Sequence, residues 1–576
     1  MVTTSSADSS PQLDHRRHLQ SPSKGSPKLL VLLVQFPDHV GRDLPTREQI
    51  QERCQTEVIP YLQQQSYNQY NILECDVQEW MVTDQDEATY SQGRQGLLGP
   101  IDSQKFFHAV LNQLDQQAID NDNTEFWFDY DSDGDFEVDA LLVLHSGYPA
   151  EFGGNDCTNN RPANFRIASQ GHSTGAGFMG GWESSVDTAS FTLSGYAITG
   201  ALTRTCNTTM ASMGIMAHEL IHTMGPPDLY DGAQLGAGGL GGFDLMSNAF
   251  GPTGRNGASP GSLSPWTKQQ LQWITPNELT SDGIYSMRPS TTHADYFIIS
   301  DKYPTDEYLL LEYRRPMVPY ELDFFGAGGL VIYHVDDTAN LQTRAGHPGQ
   351  ANFPSNGNHY QVAVLQADGQ YDLEKRSNLG DANDLYTPGM SIGPGTGSNF
   401  PNTDSYQNGN VQKTGITITV QSMDADRLFF EVSGLAPAVT LPTQAPTQGP
   451  TRGPTQAPTR GPTQGPTLSP TTSTTTSTTT GTTTSTSGTS TSTTTSGGSS
   501  TTTTTTSGAN STTSTTTTST SAGATSSTSS TSTGTSTTGN IVGSGETTAT
   551  SSAPIFSRSI PWFTVGGLTC ILQVML

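Results

Sequence analysis

The chain has 576 residues, 32% of them hydrophobic, and a formal net charge of −27. Such a surplus of acid disfavours nucleic-acid binding, which needs a basic face, and suits a protein that holds divalent cations. Aromatic and apolar residues concentrate before about Pro437, so roughly 410 residues can build a core, enough for two domains.

The first 27 residues are polar and contain no apolar run. They do not read as a secretory signal peptide, so export would need an upstream start or another route. Arg16-Arg17 reads as solvated coil rather than as a processing site. Order is expected from Lys28. The run Leu29 to Phe36, followed by Pro37-Asp38, predicts a buried strand. Residues 47–65 carry a helical pattern. So does Phe106 to Leu114, with Phe106, Phe107, Val110, Leu111 and Leu114 on one face.

Asp129 to Asp139 sets acids at every second position around Gly134. Unpaired, they would repel, so the run needs a cation or full solvation. Calcium loops wrap an ion in this way. Two registers compete. One starts at Asp129 with Gly134 sixth, but reaches Ala140 where a closing carboxylate is needed. The other uses Asp131, Asp133, Asp135 and Asp139, but sets Phe136 where glycine usually turns. Ala140 to His145 then predicts a second buried strand. The alternation of strand and helix implies a mixed α/β catalytic domain.

The densest chemistry lies in His218-Glu219-Leu220-Ile221-His222-Thr223-Met224-Gly225-Pro226-Pro227-Asp228. Histidines four apart share one helix face, so both imidazoles can reach one metal ion. Glu219 can hold a metal-bound water and take its proton. Gly225 can end the helix in a conformation that side chains disfavour. Asp228 can then return as third ligand, leaving the open fourth position that marks a catalytic zinc. Met213, Met216, Ala217, Leu220 and Ile221 supply the helix with an apolar face.

A glycine-rich loop follows from Gly236 to Gly242. Pro265-Trp266-Thr267-Lys268 and Leu271-Gln272-Trp273-Ile274 read as one helix. From about Asp282 to Gly434, short apolar runs separated by turn residues read as an antiparallel β domain. These include Tyr308–Tyr313, Gly329–Val335, Tyr360–Leu365 and Ile416–Val420. His334, Asp336 and Asp337, and the turn Gly380 to Asp384, are weaker cation candidates for which turn and core roles are the commoner reading.

Prolines then recur every four residues from Pro442 to Pro470, a period that favours extended polyproline II. Residues 471–552 are almost wholly Thr, Ser and Gly, as in a glycosylated mucin-like stalk. Asn207 and Asn510 head acceptor sequons. The apolar tail from Ile560 follows small residues and a polar spacer. That order fits a glycosylphosphatidylinositol signal, with a short transmembrane tail and an inert tail as alternatives. Of five cysteines, Cys54, Cys75, Cys157 and Cys206 fall in the folded part and allow three pairings. Proximity favours Cys54–Cys75 and Cys157–Cys206. No pair has the spacing of a thiolate zinc site.

The zinc motif with Pro227-Asp228-Leu229-Tyr230-Asp231 resembles the immune inhibitor A family of secreted metallopeptidases. The likeness extends to Leu33–Asp38, Gln65-Ser66-Tyr67, Val138-Asp139-Ala140, Phe243-Asp244-Leu245-Met246, Gly329–Asp336 and Gly380–Leu385. The resemblance implies a metzincin-like domain that cuts peptide bonds. It implies zinc ligands at His218 and His222, a catalytic Glu219, and Met246 in a turn beneath the metal. A metzincin more often has histidine where Asp228 stands.

The expected architecture is α+β. Residues 1–27 are disordered, 28–281 form the peptidase domain and 282–434 the β-rich domain. A Pro-Thr linker (435–470), a disordered stalk (471–553) and a hydrophobic tail (554–576) follow. The expected function is a zinc endopeptidase, with calcium as a second cofactor and protein or peptide substrates. It would be secreted or attached to a membrane or cell wall through the tail. The alternative is an inactive peptidase-fold glycoprotein with an adhesive role, although such a copy need not retain Glu219 between the two histidines. The pattern does not fix cleavage preference or oligomeric state.

Overall fold

The computed structural model describes residues 21–435, except 97–99, 174–181, 187–189, 194, 231–237, 253–256, 318–319, 322–323, 340–345 and 396–398. Arg16-Arg17, the Pro-Thr repeat, the stalk with Asn510, the tail with Cys570 and Asp231 lie outside the described residues. So does the loop 175–181. Among the described residues no helix is long and apolar enough to cross a membrane.

The first apolar run folds as β1 (Lys28–Gln35). The helical pattern at 47–65 becomes α1 (Arg47–Arg53), a π-helical turn at Cys54–Val58, and α2 (Ile59–Gln65). Thr46 caps α1 by accepting from the Gln49 amide, while the Gln49 side chain accepts from the Thr46 amide. Then come β2 (Glu74–Val77), β3 (Met81–Val82), α3 (Pro100–Asp120), β4 (Glu137–Val138), β5 (Leu141–His145), β6 (Gln170–Ser173), β7 (Thr192–Leu193) and β8 (Gly195–Gly200). One sheet runs β2-β1-β5-β8-β6, with β3 also paired to β1. Its pairings are parallel except β6 on β8, so β6 is an antiparallel edge.

Both faces of this sheet are covered, which is why β1 reads as unbroken hydrophobicity. Leu29, Val31 and Leu33 pack with Ile50, Leu62, Met216 and Leu220, whereas Leu30, Leu32 and Val34 pack with Phe106, Phe107, Val110 and Leu111. Each such burial is worth roughly 1.5–3 kcal/mol relative to exposure. The helix of the zinc motif, α4 (Met213–Thr223), therefore lies on one face and α3 on the other. Ser212 caps α4, and Gly225 leaves it at φ +113°.

Beyond α4 the helical pattern at 265–274 gives only α5 (Pro265–Gln270). Gln272 takes a left-handed φ of +59°, which ends any continuation. The expected β-rich segment forms β9 (Asn277–Glu278), β10 (Gly283–Met287), β11 (Phe297–Ile299), β12 (Glu307–Arg314), β13 (Gly329–Asp336), β14 (Val362–Val364), β15 (Ser391–Ile392), β16 (Thr417–Met423) and β17 (Leu428–Ser433). They make sheets β14-β13-β12-β11-β9 and β10-β17-β16-β15, antiparallel apart from β11 on β9. Leu309, Leu311, Leu330 and Ile332 face the second sheet, packing with Ile418, Val420 and Phe430. Tyr308, Leu310, Val331 and Tyr333 turn the other way, into the same core as Leu29 and Leu220. The β-rich part is thus built onto the peptidase part through a shared interior.

Cys54, in the π turn, is disulfide-bonded to Cys75 of β2, with Cα atoms 6.2 Å apart. The expected second pair, Cys157 and Cys206, stands as exposed free thiols whose side chains touch each other. Cys157 Sγ turns to the Tyr148 hydroxyl at 3.9 Å and Cys206 Sγ to the Asn155 carbonyl at 3.7 Å. Burial, and contact with Cys157, raise the Cys206 thiol above its ordinary range.

Candidate metal centre

Helix α4, buried along its whole length, carries His218 and His222, whose rings meet edge to face with centroids 4.7 Å apart. His218 and Glu219 have no exposure at all, and His222 has 4%. Helix α4 can lie this deep because its neighbours in the sheet are small. A Cβ added at Gly171 of β6 would fall 2.3 Å from the Glu219 carbonyl oxygen and 2.6 Å from His222 Cβ. One at Gly214 would fall 2.1 Å from the Ala249 carbonyl oxygen.

Each histidine is oriented by a carbonyl. His218 Nδ1 lies 3.0 Å from the Leu245 oxygen and His222 Nδ1 lies 2.8 Å from the Pro226 oxygen. A carbonyl only accepts, so each Nδ1 carries a proton, and a neutral ring held this way would present its lone pair on Nε2. These two Nε2 atoms are 3.1 Å apart, and Asp228 Oδ1 is 3.1 Å from one and 3.2 Å from the other. With both rings neutral, three acceptors would converge here with no proton among them, an arrangement that a cation satisfies and hydrogen bonding cannot. Burial opposes charge on Asp228, but positive charge and hydrogen bonds from His222 and His218 outweigh it in the metal-free cluster and hold the carboxyl well below the usual carboxylate range.

Tyr230 donates its hydroxyl to Asp228 Oδ2 at 2.7 Å, which leaves Oδ1 for the cluster. Sequence spacing did not reveal this positioning bond. Glu219 sits beside the cluster with neither carboxylate oxygen hydrogen-bonded to protein. Burial first, then the charges of Asp228 and Glu151, push it well above the ordinary range. A buried carboxyl left without a protein partner is suited to hold a water or a substrate group. Met246 is fully buried, and its carbonyl accepts from Leu229 next to Asp228.

The other expected residues divide. Asp131, Asp133 and Asp139 bring carboxylate oxygens within 4.8 Å of one another, but Asp135 is not among them. It turns back to accept from the Glu137 amide at 2.9 Å. Phe136 adopts φ +64°, the left-handed conformation that glycine would take more easily. Burial raises Asp139 to about 6, with Asp133 and Asp131 adding to it. The acidic turn at 380–384 acquires a partner that spacing did not suggest, since Asp368 joins Asp381 and Asp384 in a second such group. His334 and Asp336 are taken up in pairs, with Glu307 and His359, each at 2.8 Å. Asn207 accepts from the Thr209 amide and hydroxyl at 2.9 Å.

Comparison with known proteins agrees with the motif. Residues 48–276 match the model of the immune inhibitor A peptidase M6 catalytic domain. No curated protein matches. Among solved structures, one match is the catalytically inactive OgpA from Akkermansia muciniphila in complex with an O-glycopeptide (glycodrosocin) substrate. It is 11% identical with a TM-score of 0.25, over 56% of this chain and 86% of that chain.

Proposed function

Since residues 48–276 make this chain a member of the immune inhibitor A (M6) peptidase family, we propose that it is a zinc-dependent endopeptidase acting on proteins or peptides. The carrying observation is the convergence of His218 Nε2, His222 Nε2 and Asp228 Oδ1 at 3.1–3.2 Å beside an unpartnered Glu219. Tetrahedral zinc with ligand bonds of about 2.0–2.1 Å needs ligand atoms about 3.3 Å apart, so the donor set fits the metal in number, type and spacing. Zinc held there would polarise the scissile carbonyl and lower the pKa of an attacking water towards about 7.

The chain's own residues then divide the work. Leu245 and Pro226 keep both imidazoles in the Nδ1–H tautomer. Tyr230 keeps Asp228 Oδ1 turned inward. Glu219 accepts the proton of the attacking water and delivers it to the leaving amine. We read the Asp131, Asp133 and Asp139 group as a structural calcium site that holds the loop before β5. The Ser/Thr-rich stalk, the Asn207 and Asn510 sequons and the apolar tail support an extracellular or cell-surface setting.

The test is Glu219→Ala. It should retain stoichiometric zinc and lose casein cleavage, whereas cleavage retained at full zinc loading would overturn the mechanism. An adhesive protein with an inactive site would show no chelator-sensitive cleavage in the parent chain.

A further inference from the structure

The turn Phe243–Met246 touches both sides of the metal centre. Its Leu245 carbonyl orients His218, and its Met246 carbonyl accepts from Leu229, the residue after Asp228. The turn is itself held from outside the peptidase part. Arg314, the last residue of β12, is fully buried and donates Nη1 to the Phe243 carbonyl. Its Nη2 is paired with Glu321, and Glu312 lies 3.7 Å from Nη1. Its guanidinium lies over the Phe324 ring, 4.5 Å from the centroid. Glu321 in turn accepts from the Ser262 amide at 2.8 Å. Asp244 completes the frame. One oxygen accepts from the Met246 amide at 2.7 Å, the other from the Ser264 amide at 2.8 Å and the Thr267 hydroxyl at 2.7 Å.

We propose that Arg314 is a positioning residue for the metal ligands, which makes the β-rich part a component of the catalytic centre rather than an appended module. The inference rests on the zinc reading above. Its physical basis is that a planar guanidinium is always charged and presents donors in a fixed fork, so it can fix a backbone carbonyl and a carboxylate together. A shift of the Phe243 carbonyl moves Leu245 and Met246, and with them the orientation of His218 and the return of Asp228. Lysine at 314 keeps the charge and loses the fork.

The test uses the full chain. Zinc affinity is measured by competition with a chromophoric chelator. In metal-free protein, long-range nitrogen–proton correlation on 15N-histidine-labelled samples reports the His218 tautomer. For Arg314→Lys we expect zinc affinity to fall about 10- to 100-fold, the usual cost of disturbing a ligand's supporting bonds. The single Nδ1–H pattern of His218 should give way to a tautomer mixture. The buried His39 and His145, on other elements, serve as folding controls and should keep their signals. A folded variant with unchanged zinc affinity and an unchanged His218 pattern overturns the proposal. Should Arg314→Lys not fold, Thr267→Val loosens the same turn through Asp244, and wild-type values for both readouts there overturn it equally. Zinc binding that survives His222→Ala would instead sink the zinc reading. The His218 tautomer would still decide the present inference.

Discussion

Gly171→Ala perturbs the site directly, because it adds one methyl group between the edge strand and the helix that carries His218 and His222. The new Cβ would stand 2.3 Å from the Glu219 carbonyl oxygen and 2.6 Å from His222 Cβ. A tolerable carbon–oxygen approach is about 3.3 Å, so β6 and α4 must separate by roughly 1 Å. Neither can yield cheaply. Gly171 is paired with Ala197 of the buried strand β8, and the group it meets is helix backbone between the two histidines. Overpacking of this kind costs about 1–3 kcal/mol. At 2–4 °C per kcal/mol, as for domains of 150–250 residues, Tm should fall by about 2–12 °C. A 1 Å displacement at a reacting centre costs about 100-fold in rate. Casein cleavage at saturating zinc should therefore fall by about two orders of magnitude, well beyond what lost stability explains at 25 °C. Gly134→Ala is the control. Its φ of +82° makes it mildly strained, but nothing lies within 4 Å of the added carbon, and activity should stand. Wild-type Tm and wild-type cleavage in Gly171→Ala would refute the reasoning.

Tyr230→Phe removes the donor to Asp228 Oδ2 and should weaken zinc by about 10- to 100-fold, measurable by chelator competition. Asp228→Ala removes a ligand and should weaken it further; equal zinc affinity in Asp228→Ala and the parent chain would send the search for a third ligand elsewhere. Replacing Cys54 and Cys75 together by alanine opens a loop of 21-residue separation and should cost about 3 kcal/mol in chemical denaturation, with zinc content unchanged. Burial holds Glu87, Glu374 and Asp384 up to about 7 and Asp139 up to about 6. These acids keep protons in the folded state that the unfolded chain releases near pH 4. Their contribution to the stability of the metal-free protein should therefore fall as pH rises from about 4 to about 7 and level off above, opposed in part by the buried His39 and His145, which burial holds down at about 4 and about 3. Calcium should raise Tm more at pH 7 than at pH 5, and an equal effect at both would argue against an ion at Asp139.

How much of this was legible in the chain follows from which contacts are local. The β1 run could be read because both of its faces are buried, so each residue reports the same environment. The clustering of the candidate ligands could be read because a helix converts a spacing of four into one face, and because Gly225 at φ +113° brings Asp228 back within ten residues. Strands β6 and β8, with sequences Gln-Gly-His-Ser and Gly-Tyr-Ala-Ile-Thr-Gly, gave no such signal. Their small residues are required by the closeness of α4, a neighbour that no local periodicity discloses. Asp368 was invisible beside Asp381 and Asp384 for the same reason.

The β-rich part shows where local reading runs out. Turn residues between short strands identify an antiparallel fold correctly, but they carry no information about what covers its outer face. The continuous burial of Glu307–Arg314 does carry it. A strand covered on one side only would alternate, whereas here Leu309 and Leu311 enter one core while Tyr308 and Leu310 enter the other. Glu312 and Arg314, charged residues at buried positions of that strand, depart from the apolar pattern. Buried charges persist where they are paired, and these are paired with each other and with Glu321 around the Phe243 carbonyl. The departure from apolar patterning thus coincides with the point where the β-rich part reaches the turn that orients His218, far from the histidine motif in sequence.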